Sequence, residues 1–401
     1  MHDSLRRHLE PAPSKRILAL DGGGVRGMVT LGLLEEIERI LAGRTQDPGR
    51  FALADYFDLI AGTSTGAIIA AGLALGWKVA TIREHYLRLC PDVFAMPQAF
   101  GLTRAMFDGR KLEQHLGRLI GGLTLESEAL RTGFMIAAKR IDTGSPWVLT
   151  NNPASRFWRP KEGTHRPNAE YEIAMLIRAS TAAPYYFDPV EIVINEGGRH
   201  PREVGLFVDG AMGGHNNPAL MAFLVATLPA YGFGWATGPD RLLIVSVGTG
   251  SWRMRHAVGR FQRKLNVDKA RHVLLGMIQD SSLNVVTALQ AISEPRKPWP
   301  INSEVEDNGG RMVHAEPLIA FQRYDAVIDE ATVGRVLGID LRRKRRVSGL
   351  VETLRQLDNG NPQNLERLLA LGRDAALPGA AGGAGVEAAD FPAAFDASFA
   401  S

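Results

Sequence analysis

Over the first 250 residues, short apolar runs alternate with segments of helical periodicity. Residues 16–20 (RILAL) are a short apolar run and read as a buried strand. Residues 29–41 follow with helical spacing. Leu33, Ile37, Ile40 and Leu41 share one face, Glu35, Glu38 and Arg39 point outward, and Gly43 stops the helix. Residues 56–61 (YFDLIA) read as a second strand, followed by a helix of small residues over 67–75. Further strands are expected at 133–141, 147–150, 205–208 and 241–247, with helices over 111–120 and 218–228 between them. Strands that alternate with helices argue for a mostly parallel sheet covered on both faces.

From about residue 251 the pattern turns helical. Residues 269–292 are long and amphipathic, and 348–357 and 363–371 form a helical pair broken by the turn Asn359-Gly360-Asn361-Pro362. The ends read differently. Residues 1–15, with Pro11 and Pro13, are expected to be a flexible lead-in, and 331–374 a helical extension packed on the body. Residues 375–401 are rich in Ala and Gly with little to bury, which predicts a disordered tail.

Composition narrows the function classes. The chain has 401 residues, 45% of them hydrophobic, enough for a large core. A formal net charge of +3 is too small an excess to imply a nucleic-acid polymer as partner, and it is compatible with an anionic membrane surface. The one cysteine, Cys90, can make neither an internal disulfide nor a multi-cysteine zinc site, and fits a reducing, cytoplasmic location. The first residues are polar and lack the apolar core of a secretory signal, and no run has the length to span a bilayer. Contact with lipid is therefore expected to be peripheral. With no His-Glu-x-x-His and no clustered carboxylates, no metal site is expected.

Three motifs carry chemistry. Asp21-Gly22-Gly23-Gly24-Val25-Arg26-Gly27 lies between the first strand and the first helix. Glycines there let the backbone approach a ligand and aim N–H groups into one pocket, where they can hold a phosphate or the oxyanion of an acyl transfer. The loop also fits Gly-x-Gly-x-x-Gly, but a dinucleotide site wants an acidic residue ending the second strand. The second strand instead runs into Gly62-Thr63-Ser64-Thr65-Gly66, a nucleophile elbow in which Gly62 and Gly66 permit the sharp turn that lifts the Ser64 hydroxyl. Asp209-Gly210-Ala211 follows the strand at 205–208. A lone Asp-Gly is most often only a turn. Here all three motifs fall at the carboxyl ends of strands expected to be parallel, where open α/β sheets build their sites. His215, six residues beyond Asp209, is a second possible base, or caps a loop beside Asn216-Asn217-Pro218. Basic stretches at 253–271 and 342–346 read as solvated faces or headgroup contacts, and Phe94, Phe100 and Phe107 as the rim of a lipid entrance or as core.

In that order the three motifs resemble the patatin-like phospholipases. Residues 179–187 (ASTAAPYYF), Asn216-Asn217-Pro218 and Ser246-Val247-Gly248-Thr249-Gly250 add to the resemblance, which covers roughly residues 16–330. It implies a three-layer α/β/α fold and a lipid acyl hydrolase that needs no cofactor. It implies a Ser–Asp dyad with Ser64 as nucleophile and Asp209 as base. Gly22, Gly23 and Gly24 would supply oxyanion donors, with Arg26 fixing their loop. Ala67 and Ala211 stand where glycine is common in the family. Two other readings stay open. One is an antiphage effector phospholipase switched on by a cyclic nucleotide. The other is a protein that binds a nucleotide or phosphate on the glycine loop without hydrolysing it.

Overall fold

The computed structural model describes residues 2–95, 105–159, 165–197, 200–253, 262, 265–301, 313, 316–342, 344–379 and 385–396. Phe100 and much of the basic stretch at 253–271 lie outside them.

Among the described residues, eight strands build one mixed sheet. They are β1 Lys15–Leu20, β2 Leu59–Thr63, β3 Gly133–Arg140, β4 Pro146–Thr150, β5 Val190–Asn195, β6 Glu203–Asp209, β7 Leu242–Val247 and β8 Ala320–Tyr324. The order is β5-β6-β3-β2-β1-β7-β8, with β4 also on β3. The run β3-β2-β1-β7-β8 is parallel. Successive residues of β1 show why the fold has three layers. Leu18 and Leu20 enter the apolar cluster that includes Met28, Leu33 and Leu369. Ile17 and Ala19 enter the cluster on the other face, with Ala222, Val225 and Leu289. A strand buried on both sides reads as a continuous apolar run, which is how β1 and β7 were legible in the sequence.

The strand carrying Asp209 differs from expectation. β6 pairs antiparallel with β3, and β5 antiparallel with β6. The registers explain how its end still reaches the site. Residues Met135–Ala137 of β3 pair with both β2 and β4, so those two strands occupy opposite edges. Ala138 and Lys139 pair with both β4 and β6, so β6 takes the β2 edge where β2 stops. Thr63 lies opposite Ala137 and Asp209 opposite Ala138. Two strands running toward each other therefore end side by side.

Described residues near both chain ends pack on the body. Asp3–Leu9 is a helix that buries Leu5 and Leu9, four residues apart on one face, against the sheet. Lys15 Nζ donates to the carbonyls of Arg7 at 2.8 Å and His8 at 2.9 Å. Among residues 385–396, Val386, Phe391 and Phe395 are buried. Arg16 Nη1 donates to the Phe395 carbonyl at 2.8 Å, and Asp390 accepts from Lys297 at 3.0 Å and Tyr324 at 2.8 Å. The segment is poor in apolar residues, but its few large ones are seated in the core.

The helix Gly27–Ala42 packs closely against the C-terminal helix Pro362–Ala376. A Cβ on Gly372 would lie 2.2 Å from the Val29 carbonyl oxygen, and one on Gly32 2.7 Å from the Arg373 nitrogen. The approach is possible because neither residue has a side chain. It brings the segment after the helix Lys344–Arg355 onto the glycine loop, where Val25 N–H donates to the Leu357 carbonyl at 2.8 Å.

Candidate active site

Ser64 stands between β2 and the helix Thr65–Ala74, with φ 55° and ψ −126°. Few side chains tolerate that region, and its occupation by a serine is strain held by the surroundings. The flanking glycines are required by close approach. A Cβ on Gly62 would come 2.3 Å from the Gly66 carbonyl oxygen, and one on Gly66 2.2 Å from that of Leu20. The turn is pinned by Ser180, whose hydroxyl accepts from Ser64 N–H at 2.8 Å and donates to the Ala137 carbonyl at 2.7 Å. Sequence reasoning gave Ser180 no role of its own. Its signal was the run at 179–187 that added to the family resemblance.

The glycine loop lies against this serine, since a Cβ on Gly22 would sit 3.0 Å from Ser64 Cβ. The three glycines are not equivalent. Gly22 N–H donates to the Asn216 carbonyl at 3.0 Å, so it is not available as an oxyanion donor. Among the described residues, no hydrogen bond takes the amides of Gly23 or Gly24. Gly24 has φ +58°, and its carbonyl accepts from Thr65 Oγ1 at 3.0 Å and the Tyr86 hydroxyl at 2.7 Å. Thr249 Oγ1 donates to the Gly22 carbonyl at 2.9 Å, and Arg26 Nη1 to that of Gly250 at 3.0 Å. The Gly248-Thr249-Gly250 turn thus braces the loop from behind.

Asp21, at the head of the loop, is held by a side chain the sequence did not flag. Arg323 on β8 donates to both Asp21 oxygens at 3.0 and 2.8 Å, and to Asp325 at 2.9 Å. All three are buried, and the two carboxylates keep Arg323 protonated despite its burial. A planar guanidinium paired at both oxygens sets the direction in which β1 leaves the sheet.

Asp209 is buried and accepts from Ala211 N–H at 2.9 Å, and the Ser64 side chain lies close enough to stabilise its charged form. Burial pushes its carboxyl up to about 6, against the downward pull of those two donors. Asp209 is thus ionised at neutral pH yet far more basic than an exposed aspartate. His215 does not join the pair. Its backbone is tied to Thr63 and Gly210, and its ring makes no hydrogen bond to Ser64 or Asp209. Burial and then the charge of Lys139 lower its pKa.

Ser64, Asp209 and the glycine loop open on one cavity of about 340 Å³. Most of its wall is apolar, including Leu89, Val93, Phe94, Leu112 and Phe187, with Leu274 and Ile278 from the helix Asn266–Ala291. Phe94 meets Phe107 edge-on with ring centres 5.1 Å apart, but Phe94 lines the cavity whereas Phe107 is core. A hydroxyl on a strained turn, beside a basic carboxylate and a glycine loop, has the parts that acyl transfer requires. The walls suit a long apolar chain.

A family model described as patatin-like phospholipase matches residues 18–223. The chain belongs to the patatin-like phospholipase family. It is 35% identical over 215 residues to the cUMP-AMP-activated phospholipase of Escherichia coli, covering 53% of this chain and 59% of that one. It is 32% identical over 182 residues to the cGAMP-activated phospholipase of Escherichia coli strain TW11681, covering 44% and 48%. Against Patatin-like protein 1 of Arabidopsis thaliana it is 30% identical over 257 residues, covering 59% and 58%. The chain therefore spans about half to three fifths of the length of these curated relatives. Among the described residues, no helix is long and apolar enough to cross a membrane.

Proposed function

We propose that the chain hydrolyses carboxylic esters of lipids, in the manner of a phospholipase A or lysophospholipase, through an acyl-serine intermediate. Ser64 Oγ attacks the ester carbonyl while Asp209 takes the hydroxyl proton. The amides of Gly23 and Gly24 hold the tetrahedral oxyanion. Collapse expels the alcohol, which leaves with the proton from Asp209. Water, deprotonated by Asp209, then attacks the acyl-serine; the fatty acid departs and Ser64 Oγ takes the proton back from Asp209. A single base serves both halves of the cycle. The observation that carries this reading is the pairing of Ser64 with the buried Asp209 carboxylate on the wall of one apolar cavity.

The test is labelling with a fluorophosphonate and turnover of mixed phospholipids, with products identified by mass spectrometry. Wild type should be labelled at Ser64 and release fatty acid, and Ser64→Ala should do neither. Labelling elsewhere, or full turnover in that variant, refutes the assignment.

The names of two bacterial relatives, a cUMP-AMP-activated and a cGAMP-activated phospholipase, support a second element, activation by a cyclic nucleotide. Turnover measured with and without cUMP-AMP or cGAMP decides it. The reading as a phosphate-binding loop has less support, because the Gly22 amide is already taken and the loop faces Ser64.

A further inference from the structure

One part of the cavity wall is neither apolar nor part of the Ser64–Asp209 pair. Arg26, Trp252 and Arg355 lie together on it. The guanidinium of Arg26 is 4.8 Å, and that of Arg355 5.2 Å, from the centre of the Trp252 ring. Arg355 ends the helix Lys344–Arg355, and both it and Trp252 lie outside the segment matched by the family model. The end of this helix therefore adds a second cation to the site.

The charges there are incompletely offset. Arg26 is 7% exposed, and its fully enclosed Nε has no acceptor among the described residues. The nearby carboxylates, Asp21 and Asp325, are both committed to Arg323. Arg355 holds the Ile328 carbonyl through Nε and Nη2 at 3.1 and 2.8 Å, and reaches Glu352 at 3.2 Å. Glu352 is 74% exposed, so water screens its attraction. The two guanidiniums repel each other, and burial lowers the pKa of both. Arg26 Nε is left without a partner among the described residues, and a buried cation so placed beside a second guanidinium is relieved when an anion joins them. Arginine forks match the oxygens of a phosphate, and stacking on an indole fixes their planes.

Resting on the ester-hydrolysis reading above, we propose that Arg355 and Arg26, flanking Trp252, form a subsite for a phosphate borne by the substrate. The phosphate sits by Trp252 while the acyl chain follows the wall of Leu112, Phe94 and Phe187. The preferred substrates are then phosphate-bearing lipid esters rather than neutral acylglycerols, and Arg355 is the residue that sets this preference.

The test reads binding, so it stands apart from turnover. Full-length Ser64→Ala protein is titrated calorimetrically with two ether-linked, non-hydrolysable analogues of one alkyl length, an alkylglycerol phosphate and an alkylglycerol. The phosphate analogue should bind at least about tenfold more tightly, the scale of a charge-assisted hydrogen bond. Adding Arg355→Gln should remove most of that advantage, and Arg355→Lys should keep part of it. Affinity for the neutral analogue in each variant reports that the cavity is still formed. Equal affinity for both analogues, or an undiminished advantage in Arg355→Gln, overturns the proposal. Inorganic phosphate binding as tightly as the alkylglycerol phosphate also overturns it, by assigning the cations to a free anion. Failure of the hydrolysis reading would show separately, as absent turnover in wild type.

Discussion

Asp209→Asn should stabilise the protein at alkaline pH while removing its activity. Burial raises the Asp209 carboxyl from an ordinary 3.8 to about 6. At about 1.36 kcal/mol per pH unit, that difference is worth roughly 3 kcal/mol. The sign follows from the direction. A carboxyl whose folded value lies above its unfolded value favours folding only while it is protonated. That contribution is full below about 3.8 and is lost as the pH rises through about 6. At pH 8 the wild type therefore carries the whole cost of a buried charge, and at pH 3.5 almost none. Asparagine is neutral throughout and can still accept from Ala211 N–H. The variant should be up to about 3 kcal/mol more stable than wild type at pH 8 and nearly equal to it at pH 3.5. Other titrating groups, Asp21 among them, are common to both proteins and cancel in the comparison. Turnover should fall ~10²–10⁴-fold in the variant. In wild type it should rise with pH through about 6 and then level. Urea unfolding at the two pH values, alongside turnover of one ester, measures both. A variant that is less stable at pH 8, or one that keeps most of its turnover, refutes the reasoning.

Two further outcomes separate alternatives left by the sequence. His215→Ala should keep more than half of wild-type turnover, because the ring makes no hydrogen bond to Ser64 or Asp209; an inactive variant with a native circular-dichroism spectrum would restore a triad. Deleting residues 380–401 should lower the melting temperature by many degrees, since Phe391 and Phe395 are core and each such side chain is worth about 3–5 kcal/mol. An unchanged melting curve would show that the C-terminal segment does not contribute to the fold.

The legible parts of this fold are those that local pattern determines. β1 and β7 are short apolar runs because both faces of the sheet are covered, and the helix Gly27–Ala42 shows its periodicity directly. The elbow and the glycine loop were readable because their backbone geometry admits almost nothing but glycine at Gly62, Gly66 and Gly24. What the sequence hid depends on distant partners. β5 and β8 carry half-buried or polar residues, and β8 has Arg323 at a position where a strand pattern expects an apolar side chain. That arginine makes sense only with Asp21, 302 residues away. The helix Asp3–Leu9 rests on two leucines, and the C-terminal segment on Val386 and two phenylalanines, too few for composition to register. The hydrogen bond that takes the Gly22 amide comes from the Asn216 carbonyl, and no side-chain pattern reports a carbonyl.

The direction of β6 was the consequential error in the sequence reading, and it shows what a Ser–Asp pair requires of a sheet. Had β6 run parallel to β2 as its immediate neighbour, Ser64 and Asp209 would stand on adjacent strands, about 4.8 Å apart before their side chains begin. Instead β2 and β6 share one edge of β3 and end against each other, with Thr63 and Asp209 opposite consecutive residues of β3. The two strand ends leave little room. A Cβ on Gly210 would lie 2.9 Å from Thr63 Cγ2 and 2.5 Å from the Ala137 carbonyl oxygen. The glycine after Asp209 is therefore a steric requirement of the junction, and the Asp-Gly pair in the sequence marks that junction rather than an ordinary turn. The same geometry brings the carboxylate to the serine without a histidine between them and closes it off from water, and that burial is what raises its basicity.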